Sequence, residues 1–128
     1  MTSGVLIDTS VWVDHFRRRN DTLVDLLSLD LALTHPMIVT ELACDTPPAP
    51  RLRTLADIAM LPHARQASLD EVRTLIKREN LFGLGCGLVD LALLASALLT
   101  PGSQLWSQDK RLAQLAIRFR IAYQVARH

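Results

Sequence analysis

Two acidic residues follow segments whose composition is typical of short buried strands. Residues 4–8 (GVLID) form an apolar run with a β-branched bias that ends at Asp8, and Asp109 follows a second such run, residues 104–107 (QLWS). Each acid also has a simpler interpretation, since Asp8 suits the N-cap of a helix and Asp109 suits a first helical turn that Ser107 would cap. The carboxyl ends of parallel strands are nevertheless the edge where α/β sheets bind ligands.

Two further acids lie in apolar helical segments, where an ionised carboxylate is costly without a partner. Glu41 shares a helical stripe with Ile38 and Leu42, and Asp90 falls in the first turn of GLVDLALLASALL, residues 87–99. The attraction of a helix N-terminus for an anion, about 0.3–1 kcal/mol, is too small to offset burial of the charge on Asp90. Both acids therefore require a cation or hydrogen-bond donors nearby.

Four carboxylates at one edge of a sheet predict a site for a divalent cation. They would repel one another and raise each other's pKa unless a hard cation were bound, and oxygen ligands alone favour Mg²⁺ or Mn²⁺ over zinc. Such a site suits hydrolysis of phosphodiesters, because the metal lowers the pKa of water and stabilises the leaving oxygen. The histidines lack ligand spacing and are expected at the surface: His15, His35, His63 and His128.

The bulk properties favour one soluble domain spanning residues 1–128. The hydrophobic fraction is 49% and the charged fraction 21%, and the chain contains no apolar run long enough for a membrane span and no signal-peptide pattern, so we expect it in the cytoplasm and not in a membrane. Cys44 and Cys86 are expected to be ordinary buried thiols. The net charge is +1, and without the four site acids the remaining 14 basic and 9 acidic residues leave +5, which suits a polyanionic substrate.

Strands and helices are predicted to alternate along the chain. Strands are expected at residues 4–8, 31–34, 104–107 and 121–125, and helices at 10–19, 21–29 with an Asp21 cap, 35–44, 51–61, 68–80, 88–99 and 109–120. Pro36 suits a first helical position, and Ser68 with Glu71 forms a capping-box pattern. Glycines at 83, 85 and 87 predict a turn before the apolar helix. The alternation predicts an α/β fold whose mainly parallel sheet is covered on both faces.

Four stretches resemble, in chain order, the motifs of PIN-domain ribonucleases, specifically the VapC-type toxins of bacterial toxin–antitoxin pairs. They are LIDTSVWVDHF, the segment around Glu41, GLVDLALLASALL and LWSQDKRLAQLA, and together they span nearly the whole chain. The resemblance implies an α/β/α sandwich with a mainly parallel central sheet. It also implies an Mg²⁺- or Mn²⁺-dependent endoribonuclease with an acidic site made of Asp8, Glu41, Asp90 and Asp109.

The resemblance further implies an RNA substrate, a VapB-type antitoxin that blocks the toxin, and a toxin homodimer. Ser10 and Ser107 match small polar positions of the family and are expected to support a carboxylate or a metal-bound water. Candidate RNA contacts are the basic residues Arg17, Arg18, Arg19, Lys110 and Arg111, each of which could equally be a solvated residue at a helix end.

Three alternative interpretations come from other classes of protein. A phospho-acceptor receiver domain requires adjacent acids near the first strand, where IDTS offers only Asp8. A haloacid-dehalogenase-type phosphatase requires an acid two residues after the first one, where Ser10 stands. A non-catalytic PIN-like binding module remains open, because an intact acidic site can be idle.

Overall fold

A computed structural model describes residues 3–125, in which three parallel strands form one sheet. The strands are β1 (Gly4–Ile7), β2 (Ala32–Leu33) and β3 (Ser103–Trp106), and their order in the sheet is β2-β1-β3. Val5 pairs with Ala32 on one side, and Ile7 pairs with Trp106 on the other. All four residues of β1 are buried, as expected for a central parallel strand covered on both faces. The predicted α/β/α architecture is confirmed.

Helices connect and flank the strands. Those of the described residues are α1 (Thr9–Arg17), α2 (Asp21–Ser28), α3 (Pro36–Ala43), α4 (Arg51–Ala59), α5 (Leu69–Glu79), α6 (Leu88–Leu99) and α7 (Lys110–Arg118). Residues 91–97 of α6 are all buried, because this helix is apolar around its whole circumference and lies in the core. In the described part of the chain, no helix is both long and apolar enough to cross a membrane.

Helix starts follow local capping chemistry, with two corrections. Pro36 is the first residue of α3, and Ser68 and Glu71 form the predicted capping box of α5. The cap of α2 is Asn20 rather than Asp21, since the Asn20 side chain accepts from the backbone N–H of Leu23. The second correction concerns α7 and is described with the site.

The predicted last strand, residues 121–125, does not form. Ala122 makes only an isolated parallel bridge to Leu105 of β3. The Leu105 N–H donates to Ile121 O at 2.7 Å, and the Tyr123 N–H donates to Leu105 O at 3.0 Å. These two bonds join the segment to β3, but they do not make it a fourth strand, because the pairing ends after one residue.

His35, predicted at the surface, is instead buried, with 3% of its surface exposed. Its Nδ1 accepts from the Met37 N–H at 3.1 Å and caps α3, so its Nε2 bears the proton and donates to Ser96 Oγ at 3.1 Å. Ser96 Oγ also accepts from the Ala67 N–H at 3.0 Å. Burial, and then the neighbouring His63, lower the pKa of His35, which therefore stays neutral and connects α3 to α6.

The remaining histidines and the cysteines differ from expectation in part. His15 is half-buried, His63 is exposed as predicted, and His128 lies outside the described residues. The cysteines are free, but the prediction that both are buried is wrong, since Cys44 is exposed and Cys86 is half-buried. Cys44 follows directly on the last turn of α3, where solvent reaches it.

Candidate active site

Asp8 stands between β1 and α1, and only 5% of its surface is exposed. It is the N-cap of α1, as its simpler interpretation predicted, and its side chain accepts from the Ser10 N–H at 3.4 Å. The same oxygen, Oδ2, accepts from Ser10 Oγ at 2.6 Å and from Ser107 Oγ at 2.8 Å. Three donors therefore converge on one oxygen of a buried carboxylate, which offsets much of its desolvation.

The two serines also connect Asp8 to the loop that follows β3. Ser10 Oγ accepts from the Gln108 N–H at 2.9 Å, and Ser107 Oγ accepts from the Asp109 N–H at 3.0 Å. Because β1 pairs with β3 in parallel, the ends of both strands lie side by side, and the hydroxyls bridge them. Among residues 3–125, no donor is bonded to Asp8 Oδ1, so this oxygen is available to a ligand.

Glu41 has the partner that its position in an apolar stripe requires. Its neighbours Ile38 and Leu42 are buried, and the half-buried carboxylate accepts from Thr9 Oγ1 at 2.6 Å. Thr9 did not emerge from the sequence as a site residue. The signal that could have identified it is its place between Asp8 and Ser10 in a run of three polar residues immediately after a strand.

Asp90 occupies the first turn of α6 and is half-buried rather than fully enclosed. Burial raises the pKa of its carboxyl group, and the negative charges of Asp8 and Asp109 raise it further. A backbone hydrogen bond from Gly87 lowers this pKa, and Glu41 contributes a smaller increase. The hydrogen bonds support the same grouping, since Ser107 bonds to both Asp8 and the Asp109 backbone, and Glu41 bonds to Thr9, the residue after Asp8.

Asp109 is itself the N-cap of α7, which corrects the prediction that Ser107 caps this helix. Its Oδ1 accepts from the Arg111 N–H at 3.0 Å and the Leu112 N–H at 3.1 Å. Ser107 instead bonds to Asp8 and to the Asp109 backbone, and it lies three residues before α7 begins. The Asp109 side chain is exposed, and the bonds from Arg111 and Leu112 both go to its Oδ1 atom.

The donor set of this edge consists of carboxylate and hydroxyl oxygens, which suits Mg²⁺ or Mn²⁺ better than zinc. Asp8 Oδ1 is available as a ligand for a hard cation. The negative charges of the neighbouring acids contribute to the raised pKa of Asp90, and a bound cation would neutralise them. As the side chains stand, however, no three His, Cys, Asp or Glu residues between positions 3 and 125 are arranged to hold one metal ion. The acids therefore share a crevice without forming a closed ligand sphere.

The predicted RNA contacts fall at two separate places. Arg17, Arg18 and Arg19 are exposed at the C-terminal end of α1, and Arg19 is paired with Asp21 at 2.9 Å. A nine-residue helix is about 13 Å long, which separates this arginine cluster from Asp8 at the other end. Two more predicted contacts, at positions 110 and 111, are exposed in the first turn of α7, directly after Asp109.

A parallel three-stranded sheet flanked by helices, with acids at its carboxyl edge, defines this protein as a PIN-like α/β/α domain. No protein-family model matches the chain. It is 41% identical over 110 residues to Ribonuclease VapC32 of Mycobacterium tuberculosis, in strains CDC 1551 / Oshkosh and ATCC 25618 / H37Rv, which covers 84% of this chain and 86% of the relative. The chain therefore belongs to the VapC family of PIN-domain ribonucleases.

Proposed function

We propose that this protein is the toxin of a VapBC toxin–antitoxin pair, an endoribonuclease that requires Mg²⁺ or Mn²⁺ and arrests growth by cutting RNA needed for translation. The observation that supports it most is the 41% identity to a ribonuclease over 84% of the chain, together with Ser107, whose hydroxyl group bonds to both Asp8 and the Asp109 backbone at the carboxyl edge of the sheet. Acids that share one edge of a sheet can serve a nuclease when a cation neutralises them.

The chain's own residues would hold and orient the reacting groups. Asp8, Glu41, Asp90 and Asp109 would bind the cation, which when bound would lower the pKa of water and stabilise the leaving oxygen. Ser10 and Ser107 hold Asp8 by its Oδ2 atom, so that Oδ1 would remain available to the cation. Thr9 holds Glu41 in the same way, so these hydroxyls are positioning groups that limit the rotation of two carboxylates.

The relative's name supports two partners for this chain, an RNA substrate and a VapB-type antitoxin. We propose that the antitoxin blocks the toxin by covering the acidic edge. A cationic side chain of the antitoxin would replace the metal's charge there, since carboxylates that repel one another require a positive partner. We also propose a homodimer that acts in the cytoplasm, as in the family that the sequence resembles.

Cleavage of a mixed RNA substrate with Mn²⁺, Mg²⁺ or chelator tests the activity. Asp8→Asn and Asp90→Asn should reduce cleavage to background while the protein stays folded, whereas Asp25→Asn, an exposed carboxylate on α2, should cut normally. Melting supplies a second measurement, because a cation at a hundred times its dissociation constant stabilises the folded state by about 2.7 kcal/mol.

The metal-induced rise in melting temperature should be smaller in both site variants than in Asp25→Asn. Equal rises in all three proteins would place the cation elsewhere and contradict the shared site. A folded wild-type protein that cuts no RNA with either metal would contradict the enzyme and leave the non-catalytic PIN-like binding module.

A further inference from the structure

A groove lies beside the acidic edge, between α7 and the loop of residues 83–87 that leads into α6. It has a volume of about 270 Å³ and is lined by Leu84, Cys86, Arg111, Gln114, Leu115 and Arg118. We call it the α7 groove. Arg111 places it next to the site, because this lining residue lies in the first turn of α7, two positions after the N-cap Asp109.

The Arg111 side chain is fixed at the end of this groove nearest Asp109. Its Nη1 donates to Gly85 O at 3.3 Å, and its guanidinium lies so close to Gly85 that a Cβ atom there would be 2.8 Å from Arg111 Cζ. Gly85 has a φ of +81°, which an L side chain rarely adopts. Among residues 3–125, Arg111 forms no ion pair, so its charge is available to an external anion.

Arg118 lies on the same face of α7, seven residues and about 10 Å further along the helix. Its Nη2 donates to Glu79 O at 2.9 Å and lies 3.9 Å from Glu79 Oε1, a long and partly exposed contact. The guanidinium also lies over the Phe119 ring, 5.4 Å from its centroid. The two guanidinium groups therefore line one groove, and among residues 3–125 the only carboxylate paired with either of them is that of Glu79.

We propose that the α7 groove binds the phosphate backbone of single-stranded RNA where the strand enters or leaves the acidic edge, with Arg111 and Arg118 each contacting a phosphate. The proposal rests on the proposed function. Without a bound metal the acids at the edge repel phosphates, so cationic side chains beside the edge would supply attraction for the strand. A guanidinium fork matches a phosphate in charge and geometry. Positively charged grooves that track the backbone are typical of proteins that bind a single strand.

Binding of a fluorescent single-stranded RNA, measured from 50 to 300 mM salt, tests this proposal. All proteins contain Asp90→Asn and all samples contain chelator, and a gel confirms that the RNA stays intact. Loss of one phosphate contact on a single strand lowers the slope of log K against log salt by about 0.7, which is about a fivefold loss of affinity at 0.1 M salt. Arg111→Gln and Arg118→Gln should each have this effect, and the double variant should lose about 25-fold.

Two controls separate the groove from net charge and from folding. Arg53→Gln removes the same charge from an exposed position on α4 and should leave the salt slope unchanged. Arg118→Lys retains the charge while changing the contact to Glu79. If Arg118 contacts a phosphate, this variant should have the salt slope of the protein with Arg118 intact. If Arg118 is merely structural, its slope should be as low as that of Arg118→Gln. Unchanged affinity and salt slope in the double variant would overturn the proposal that the α7 groove binds RNA. If the wild-type protein still cleaved RNA in that case, the proposed function would stand.

Discussion

Ser107→Ala is the substitution that best tests how the two strand ends position Asp8. It removes a hydroxyl that donates to Asp8 Oδ2 at 2.8 Å and accepts from the Asp109 N–H at 3.0 Å. Ser107→Thr retains the hydroxyl and should be nearly silent. The comparison therefore isolates one oxygen atom at the edge of the site.

The expected cost is about 2 kcal/mol of unfolding free energy. A hydrogen bond to a charged group contributes about 1.5–3 kcal/mol, and water cannot easily replace the lost donor because Asp8 is 5% exposed. The cost stays below the upper limit for two reasons. Ser10 still donates to the carboxylate at 2.6 Å, and Asp109 is exposed, so water can accept from its N–H. For a domain of this size the loss corresponds to about 8 °C in melting temperature.

Urea unfolding followed by tryptophan fluorescence measures this loss, with Thr40→Ala as the control. Thr40 also offers a hydroxyl that bonds within the protein, to Pro36 O at 2.7 Å, but it is exposed and its removal should cost less than about 0.5 kcal/mol. RNA cleavage should fall in Ser107→Ala and persist in Ser107→Thr. A Ser107→Ala protein as stable as Thr40→Ala would refute the argument that this hydroxyl compensates the charge on Asp8.

Three further predictions follow from single contacts. Ser96→Ala should lower the unfolding free energy by about 1–3 kcal/mol in urea, because it leaves the buried His35 Nε2–H without an acceptor. Asp90→Asn should stabilise metal-free protein at neutral pH in thermal melts. This gain in stability should disappear as the pH falls through the raised pKa of Asp90, because the protonated wild-type carboxyl group no longer repels its neighbours. A gain in stability that is the same at every pH would contradict this. Gly85→Ala should cost about 1–2 kcal/mol in urea because of its positive φ, and full rescue by Arg111→Ala would show that the collision with the guanidinium, not the backbone, is responsible.

Local chemistry in the sequence was sufficient to place most elements. Apolar periodicity located the helices, and Pro36 and the Ser68–Glu71 pair marked two of their starts. The errors are of two kinds. Caps shifted by one or two residues, as at Asn20 and Asp109, because Asn, Asp and Ser all serve as N-caps and only the folded backbone selects one. The expected last strand failed because its pairing with β3 ends at Ala122.

Residue types identified the four acids, but their environments depended on packing. Helical spacing placed Glu41 beside Ile38 and Leu42, yet nothing local indicated that Thr9, 32 positions away, would donate to it. The surface prediction for His35 failed for the same reason, since its acceptor Ser96 lies 61 positions away. A polar side chain is tolerated in a core when a distant partner satisfies it, and sequence spacing does not reveal that partner.

The sequence by itself determined that this protein has an α/β fold with acids placed after strands and in apolar helices, because capping, periodicity and strand composition act over a few residues. Only the tertiary structure decided that Ser10 and Ser107, 97 positions apart, share one oxygen of Asp8. The parallel pairing of β1 with β3 brings those strand ends together. The same pairing places Asp109, and with it the α7 groove, at the edge where Asp90 lies.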